Sequence, residues 1–265
     1  MAKRQIARRL AGYNPRFAAI EPSSRPEPRL SVKPLETRRL YLQIADKLRD
    51  LIGQQGFAPN GRLPSERELA QTLGVSRPSV REALVALELE GRVEIRMGSG
   101  VYVSSRPASV TAAALTSDSG ALGESPREIM DARSLIEGAI AASVAPFAKP
   151  KALRTLRALY ERMASEVAAG QIPLAADRQF HLCIAQMSDN DVLVKTIAEL
   201  FDERHSPLSS KLRVHFEGGD TWAAALDEHR AILEALEARD PVQAHAAVQR
   251  HLKASYARLM TRVRR

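Results

Sequence analysis

The sequence predicts a mostly α protein in two parts: three helices closed by a short hairpin, then an all-helical bundle. Three observations carry that expectation. Apolar residues recur at spacings of three and four in the segment after residue 39 and in every segment beyond residue 125. Short β-branched runs around a glycine turn occur only between residues 93 and 103. At 265 residues the chain exceeds the usual single domain of about 150 residues, and aromatics at 5% leave its cores to Leu, Ile, Val and Ala.

From Leu40 to Gln54, the residues Leu40, Tyr41, Ile44, Leu48 and Leu51 describe one amphipathic face, and Gly56 and Pro59 stop the helix. A second helix opens at Ser65, whose spacing to Glu68 is that of a capping box, and ends at Gly74. Ser76 caps a third helix, which turns Val80, Ala83, Leu84 and Leu87 inward and runs to Gly91. Val93 to Ile95 and Val101 to Val103 then read as two strands around Met97-Gly98-Ser99-Gly100. Helix, helix, turn, helix and hairpin together make a winged helix-turn-helix.

Ser104 to Glu124 is rich in Ser, Ala, Gly and Thr and reads as a linker. Ser125, Pro126 and Glu128 start a helix as N-cap, first-turn proline and box glutamate. Helical periods follow at about 126–146, 150–169, 174–187, 191–204, 207–215, 221–238 and 241–263, the last capped by Asp240. The division expected is a basic disordered arm over 1–36, a winged head over 37–105, a linker over 106–124 and an all-helical domain over 125–265.

Charge separates these parts. Residues 1–40 carry ten basic and three acidic groups, residues 41–106 nine and eight, and the remainder twenty of each. All of the net +8 therefore lies in the first 106 residues, as expected where only that half meets a polyanion. The arm itself reads as a solvated tail, a nonspecific phosphate contact or an organellar transit peptide. No apolar run approaches the about 18 to 20 residues of a membrane span, so a cytoplasmic protein is expected. The single cysteine, Cys183, excludes an intrachain disulfide and fits core packing.

A recognition helix enters the major groove of DNA N-terminus first. Here that end presents Ser76, Arg77, Pro78, Ser79 and Arg81, while Arg67 on the preceding helix can reach the same groove or its phosphates. Ordinary solvated arginines are the plain alternative.

The head resembles the GntR family of bacterial regulators. The resemblance lies in Gly61-Arg62-Leu63-Pro64-Ser65-Glu66-Arg67-Glu68-Leu69-Ala70, Leu73-Gly74-Val75-Ser76-Arg77, Val80-Arg81-Glu82-Ala83-Leu84 and Gly98-Ser99-Gly100-Val101-Tyr102-Val103. It implies base or phosphate contacts from Arg67, Arg77 and Arg81, with Ser76, Ser79 and Gly98 against the backbone and minor groove. Pro78 and Met97 depart from the family pattern and shift the expected readout onto the arginines.

All six histidines follow residue 180: His181, His205, His215, His229, His245 and His251. Asp177 and His181 stand four apart on one helix, a spacing that lets both ligate one ion. His229 and His251 lie on two other helices, and packing could bring the four together or leave a polar cavity without an ion. Residues 125–260 are similar to the FCD effector domain of the fatty-acid-regulator branch of GntR proteins, through Asp131-Ala132-Arg133, Glu137, Asp177, Phe180-His181, Asn190, Glu228-His229, Asp240, Ala244 and His251-Leu252. That resemblance implies a divalent metal on Asp177, His181, His229 and His251, with Arg133 pairing an effector carboxylate. Zn, Ni or Mn suits such a donor set.

These readings add up to a homodimeric, ligand-responsive repressor on a palindromic double-stranded operator. A small anionic effector, a hexuronate or other sugar or organic acid, would release it. Two other functions compete: a metal-dependent enzyme with a DNA-targeting head, and an architectural DNA binder. The first lacks an evident base, and the order Glu228-His229 is not that of a helical metalloprotease. The second leaves the neutral domain and its four potential ligands unexplained.

Overall fold

A computed structural model describes residues 39–54, 57–105, 121–216 and 219–261, so the expected basic arm and most of the expected linker lie outside the described residues. Helix α1 (Leu40–Gln54) buries Tyr41, Leu42, Ile44, Ala45 and Leu48. Helix α2 (Glu66–Leu73) starts at the capping box: the Glu68 N–H donates to Ser65 Oγ at 3.3 Å and the Ser65 N–H to Glu68 Oε2 at 2.8 Å. Such reciprocal caps satisfy two donors that a helix N-terminus otherwise leaves open. Gly74 ends α2 in the left-handed region (φ 67°), where any Cβ would be strained.

Helix α3 (Arg77–Leu89) follows after Gly74, Val75 and Ser76, with the Ser79 N–H donating to Ser76 Oγ at 3.2 Å. Strands β1 (Val93–Arg96) and β2 (Gly100–Val103) pair antiparallel, Val93 opposite Val103 and Arg96 opposite Gly100. A bridge from Arg62 to Tyr102 ties the wing to the chain before α2. Leu48, Leu63, Leu69, Val80, Leu84, Leu87 and Val93 close one core beneath these elements.

The second half is helical throughout the described residues: α4 (Pro126–Val144), α5 (Pro150–Ala168), α6 (Leu174–Gln186), α7 (Asp191–Asp202), α8 (Pro207–Phe216), α9 (Gly219–Glu237) and α10 (Pro241–Thr261). Asp240 caps α10, accepting from the Val242 and Gln243 N–H groups at 2.9 Å each. Helices α4 and α10 pack along one another, and α5, α6, α7 and α9 complete a core of Ile140, Leu156, Met163, Phe180, Cys183, Ile197, Ile232, Leu236 and Leu252.

One expected cap is built differently. Ser125 precedes α4 but makes no capping bond with its side chain. Its Oγ donates instead to Glu82 Oε2 at 2.8 Å, and Glu82 Oε1 accepts from the Arg127 N–H at 3.3 Å. The carboxylate that caps α4 thus comes from α3, 43 residues earlier in the chain. A third core joins the halves: Tyr41, Leu42, Val85 and Ala86 pack with Leu122, Leu208, Leu212, Phe216 and Met260. The end of the expected linker belongs to this core, with Leu122 buried and the Gly123 carbonyl accepting from Tyr41 Oη at 2.8 Å.

Candidate functional site

Helix α6 carries Asp177 and His181, α9 carries His229 and α10 carries His251. All four are buried, and one ligand atom from each lies within 4.8 Å of the others. Ligands about 2.1 Å from one ion span about 4.2 Å at most, so small side-chain adjustments bring the four into one coordination sphere.

The imidazoles are held by their Nδ1 atoms. His181 Nδ1 lies 2.5 Å from Glu137 Oε2, His251 Nδ1 is 3.0 Å from Glu228 Oε2, and His229 Nδ1 donates to the Ala225 carbonyl at 2.8 Å. Such partners fix the tautomer and leave Nε2 as a lone pair. His229 Nε2 comes 2.9 Å from Asp177 Oδ1, yet neither it nor His181 Nε2 has a hydrogen-bond donor to receive. Lone pairs facing a carboxylate oxygen in a buried site repel one another, and a cation between them removes the conflict. The donor set therefore fits a divalent metal.

Electrostatics keep His251 and Asp177 in their binding forms. Burial, with His229 alongside, pushes His251 down to about 3, so its ring is neutral. Burial would raise Asp177, but the close approach of the His181 and His229 rings and the Arg204 charge hold it well below the usual carboxylate range. Glu137 is likewise ionised: burial raises it, and Arg133 and His181 outweigh that and bring it to about 2.

A cavity opens beside the cluster, lined by Arg133, Arg204, Phe216, Trp222 and Tyr256 and by three of the four cluster residues. Arg133 Nε donates to Glu137 Oε1 at 2.6 Å, and its guanidinium lies 4.5 Å from the centre of the Phe201 ring. Arg133 Nη2 and Trp222 Nε1 are buried donors without a partner among the described residues. Arg204 Nη1 donates to Asp177 Oδ2 at 2.9 Å, leaving Oδ1 toward the histidines. Glu137, Glu228, Arg204 and Trp222 escape a reading of the sequence as site residues, because their roles depend on which helix packs beside which. Only the four-residue spacing of Arg133 and Glu137 hints at one pair.

Arg67, Ser76, Arg77 and Gly98 are exposed. Ser79 and Arg81 lie elsewhere than expected. Ser79 is buried, 2.8 Å from Ser76 Oγ within the helix cap. Arg81 is 2% exposed; Glu66 of α2 and, from the second half of the chain, the Met260 carbonyl take its donors.

Residues 40–103 match the bacterial regulatory proteins of the gntR family, and residues 128–254 match the FCD domain. The chain belongs to the GntR family. It is 35% identical to the Uxu operon regulator of Haemophilus influenzae over 81% of this chain and 80% of that protein. It is 36% identical to the Exu regulon transcriptional regulator of Escherichia coli, over 82% and 83%. A solved GntR structure from Streptococcus agalactiae matches 81% of this chain and 97% of its own at 28% identity, with a TM-score of 0.43. This GntR protein is thus a transcriptional regulator with an FCD effector half. Among its described residues no helix is long and apolar enough to cross a membrane.

Proposed function

We propose that this regulator is a cytoplasmic homodimer that represses a sugar-acid catabolic operon and leaves a palindromic operator when a hexuronate or similar carboxylate fills the cavity. The observation that carries this reading is the buried Asp177, His181, His229 and His251 cluster opening onto a cavity with an unpartnered Arg133 donor. The relatives named for the Uxu operon and the Exu regulon support the choice of hexuronate.

In this reading the head spans 37–105 and the effector and dimerisation domain 125–265. Asp177, His181, His229 and His251 hold a Zn, Ni or Mn ion, whose chemistry when bound is to accept anionic or hydroxyl oxygens at open coordination positions. Arg133, aligned by Glu137, donates to the effector carboxylate. Trp222 supplies an Nε1 donor, and its ring provides an apolar wall for the carbon skeleton. Arg67, Ser76, Arg77 and Gly98 face the operator.

Calorimetry with D-glucuronate and D-galacturonate, on metal-loaded and chelated protein, tests the reading. Binding is expected only in the loaded protein and is weakened by Arg133→Ala. Binding that survives replacement of His181, His229 and His251 removes the metal from the site.

A further inference from the structure

Arg77 and Arg81 stand one turn apart on α3, yet only Arg77 reaches solvent. Arg81 Nε and Nη2 donate to Glu66 Oε1 and Oε2 at 2.9 and 2.6 Å, and Nη1 donates to the carbonyl of Met260 near the end of α10. Its guanidinium lies 5.0 Å from the centre of the Phe216 ring, the last residue of α8. Phe216 is itself buried and is also part of the cavity wall. A single aromatic ring therefore separates the effector cavity from an arginine of the helix that reads DNA.

We propose that Phe216 is a positioning residue that closes a clasp on Arg81, and that DNA contact by Arg81 requires the clasp to open. This rests on the reading of α3 as the DNA-reading helix. A guanidinium is planar, always charged and rich in donors, so it is buried only where acceptors and a ring face replace its water. Glu66 and Met260 supply the acceptors, and Phe216 supplies the face. A guanine edge or a phosphate competes for the same donors, and Arg81 cannot serve both at once. Opening requires α3 to separate from α8 and α10.

An effector packed against Phe216 from the cavity side favours the closed clasp, and bound DNA favours the open one. Each ligand then weakens the other by the same factor.

The test is a double-mutant cycle in the full-length protein, with a DNA duplex enriched from a random pool by the wild-type protein and affinities measured at fixed salt without effector. Phe216→Leu removes the ring face and is expected to tighten binding about tenfold. Phe216→Tyr keeps the ring and should restore the wild-type value. In an Arg81→Ala background, Phe216→Leu should change nothing. An unchanged affinity in Phe216→Leu, or the same change with and without Arg81, overturns the clasp. Arg77→Ala, measured alongside, separates the two readings. If Arg77→Ala weakens binding while the Phe216 variants do nothing, the clasp fails and the DNA-reading face stands. If Arg77→Ala also does nothing, the DNA-reading face fails and the clasp with it.

Discussion

Glu82 of the recognition helix accepts a hydrogen bond from Ser125 Oγ at 2.8 Å, so one buried carboxylate joins the head to the first helix of the effector half. Tyr256, part of the cavity wall, donates to the same carboxylate at 3.4 Å. The head and the effector half are therefore coupled through side chains that also border the cavity.

This joint has a pH signature. Burial pushes Glu82 up to about 7, against the hydrogen bonds from Ser125 and the Arg127 N–H, which favour the ionised form. Its folded-state value lies above its unfolded one, so the folded form binds the extra proton. The stability linked to Glu82 is present below the unfolded value, falls as pH rises through the folded value and levels off above it. Urea unfolding of wild type against Glu82→Gln should show the wild type losing about 2 kcal/mol more between pH 5 and pH 8. Parallel pH curves for the two proteins would rule out this role.

The exposed end of α3 makes a different prediction. Arg77→Ala is expected to cost about 1 to 3 kcal/mol of operator binding and to relax specificity at the base pairs it meets. Arg67→Ala should also weaken binding. If its contact is to a phosphate, the loss is uniform across sequences and the salt slope becomes shallower by about one. Gel-shift titrations at several salt concentrations distinguish the two.

Glu137 holds Arg133 at 2.6 Å and His181 at 2.5 Å, all three buried. Glu137→Ala leaves a guanidinium uncompensated and an imidazole unoriented. Thermal unfolding should show a loss of about 3 to 5 kcal/mol. Competition with a chromophoric chelator should show metal affinity reduced by about tenfold or more. Wild-type metal affinity in that variant would show that Glu137 does not orient His181.

Metal itself is expected to stabilise the fold, because the four residues proposed to hold it come from three separate helices. At a metal concentration of about one hundred times Kd the gain is about 2.7 kcal/mol. Differential scanning calorimetry with and without a chelator reads this as a rise in Tm, and the rise should vanish in an Asp177→Ala, His229→Ala double variant.

Much of the head is legible in its sequence because its signals are local. The Ser65 and Glu68 capping box, the Gly74 terminus and the glycines of the wing act on neighbours within four residues, and each forms where its spacing places it. Asp240 caps α10 for the same reason. Ser125 has an equally good local signal and no capping bond, because a carboxylate from α3 docks at that helix end and takes its hydroxyl.

At the candidate metal site, the i,i+4 pair of Asp177 and His181 is a property of any helix. Its meeting with His229 and His251 depends on how α6, α9 and α10 pack, as do the Glu137 and Glu228 acceptors behind the rings.

By itself, then, the sequence determined the helices, the caps of α2, α3 and α10, the wing and the residue types at the candidate site, since these follow from periodicities and short-range hydrogen bonds. Only the tertiary structure decided which charges meet: that Arg81 turns to Glu66, Phe216 and Met260, and that Glu82 caps α4. Desolvating a charge is costly unless partners are already in place, and packing from distant parts of the chain puts those partners there.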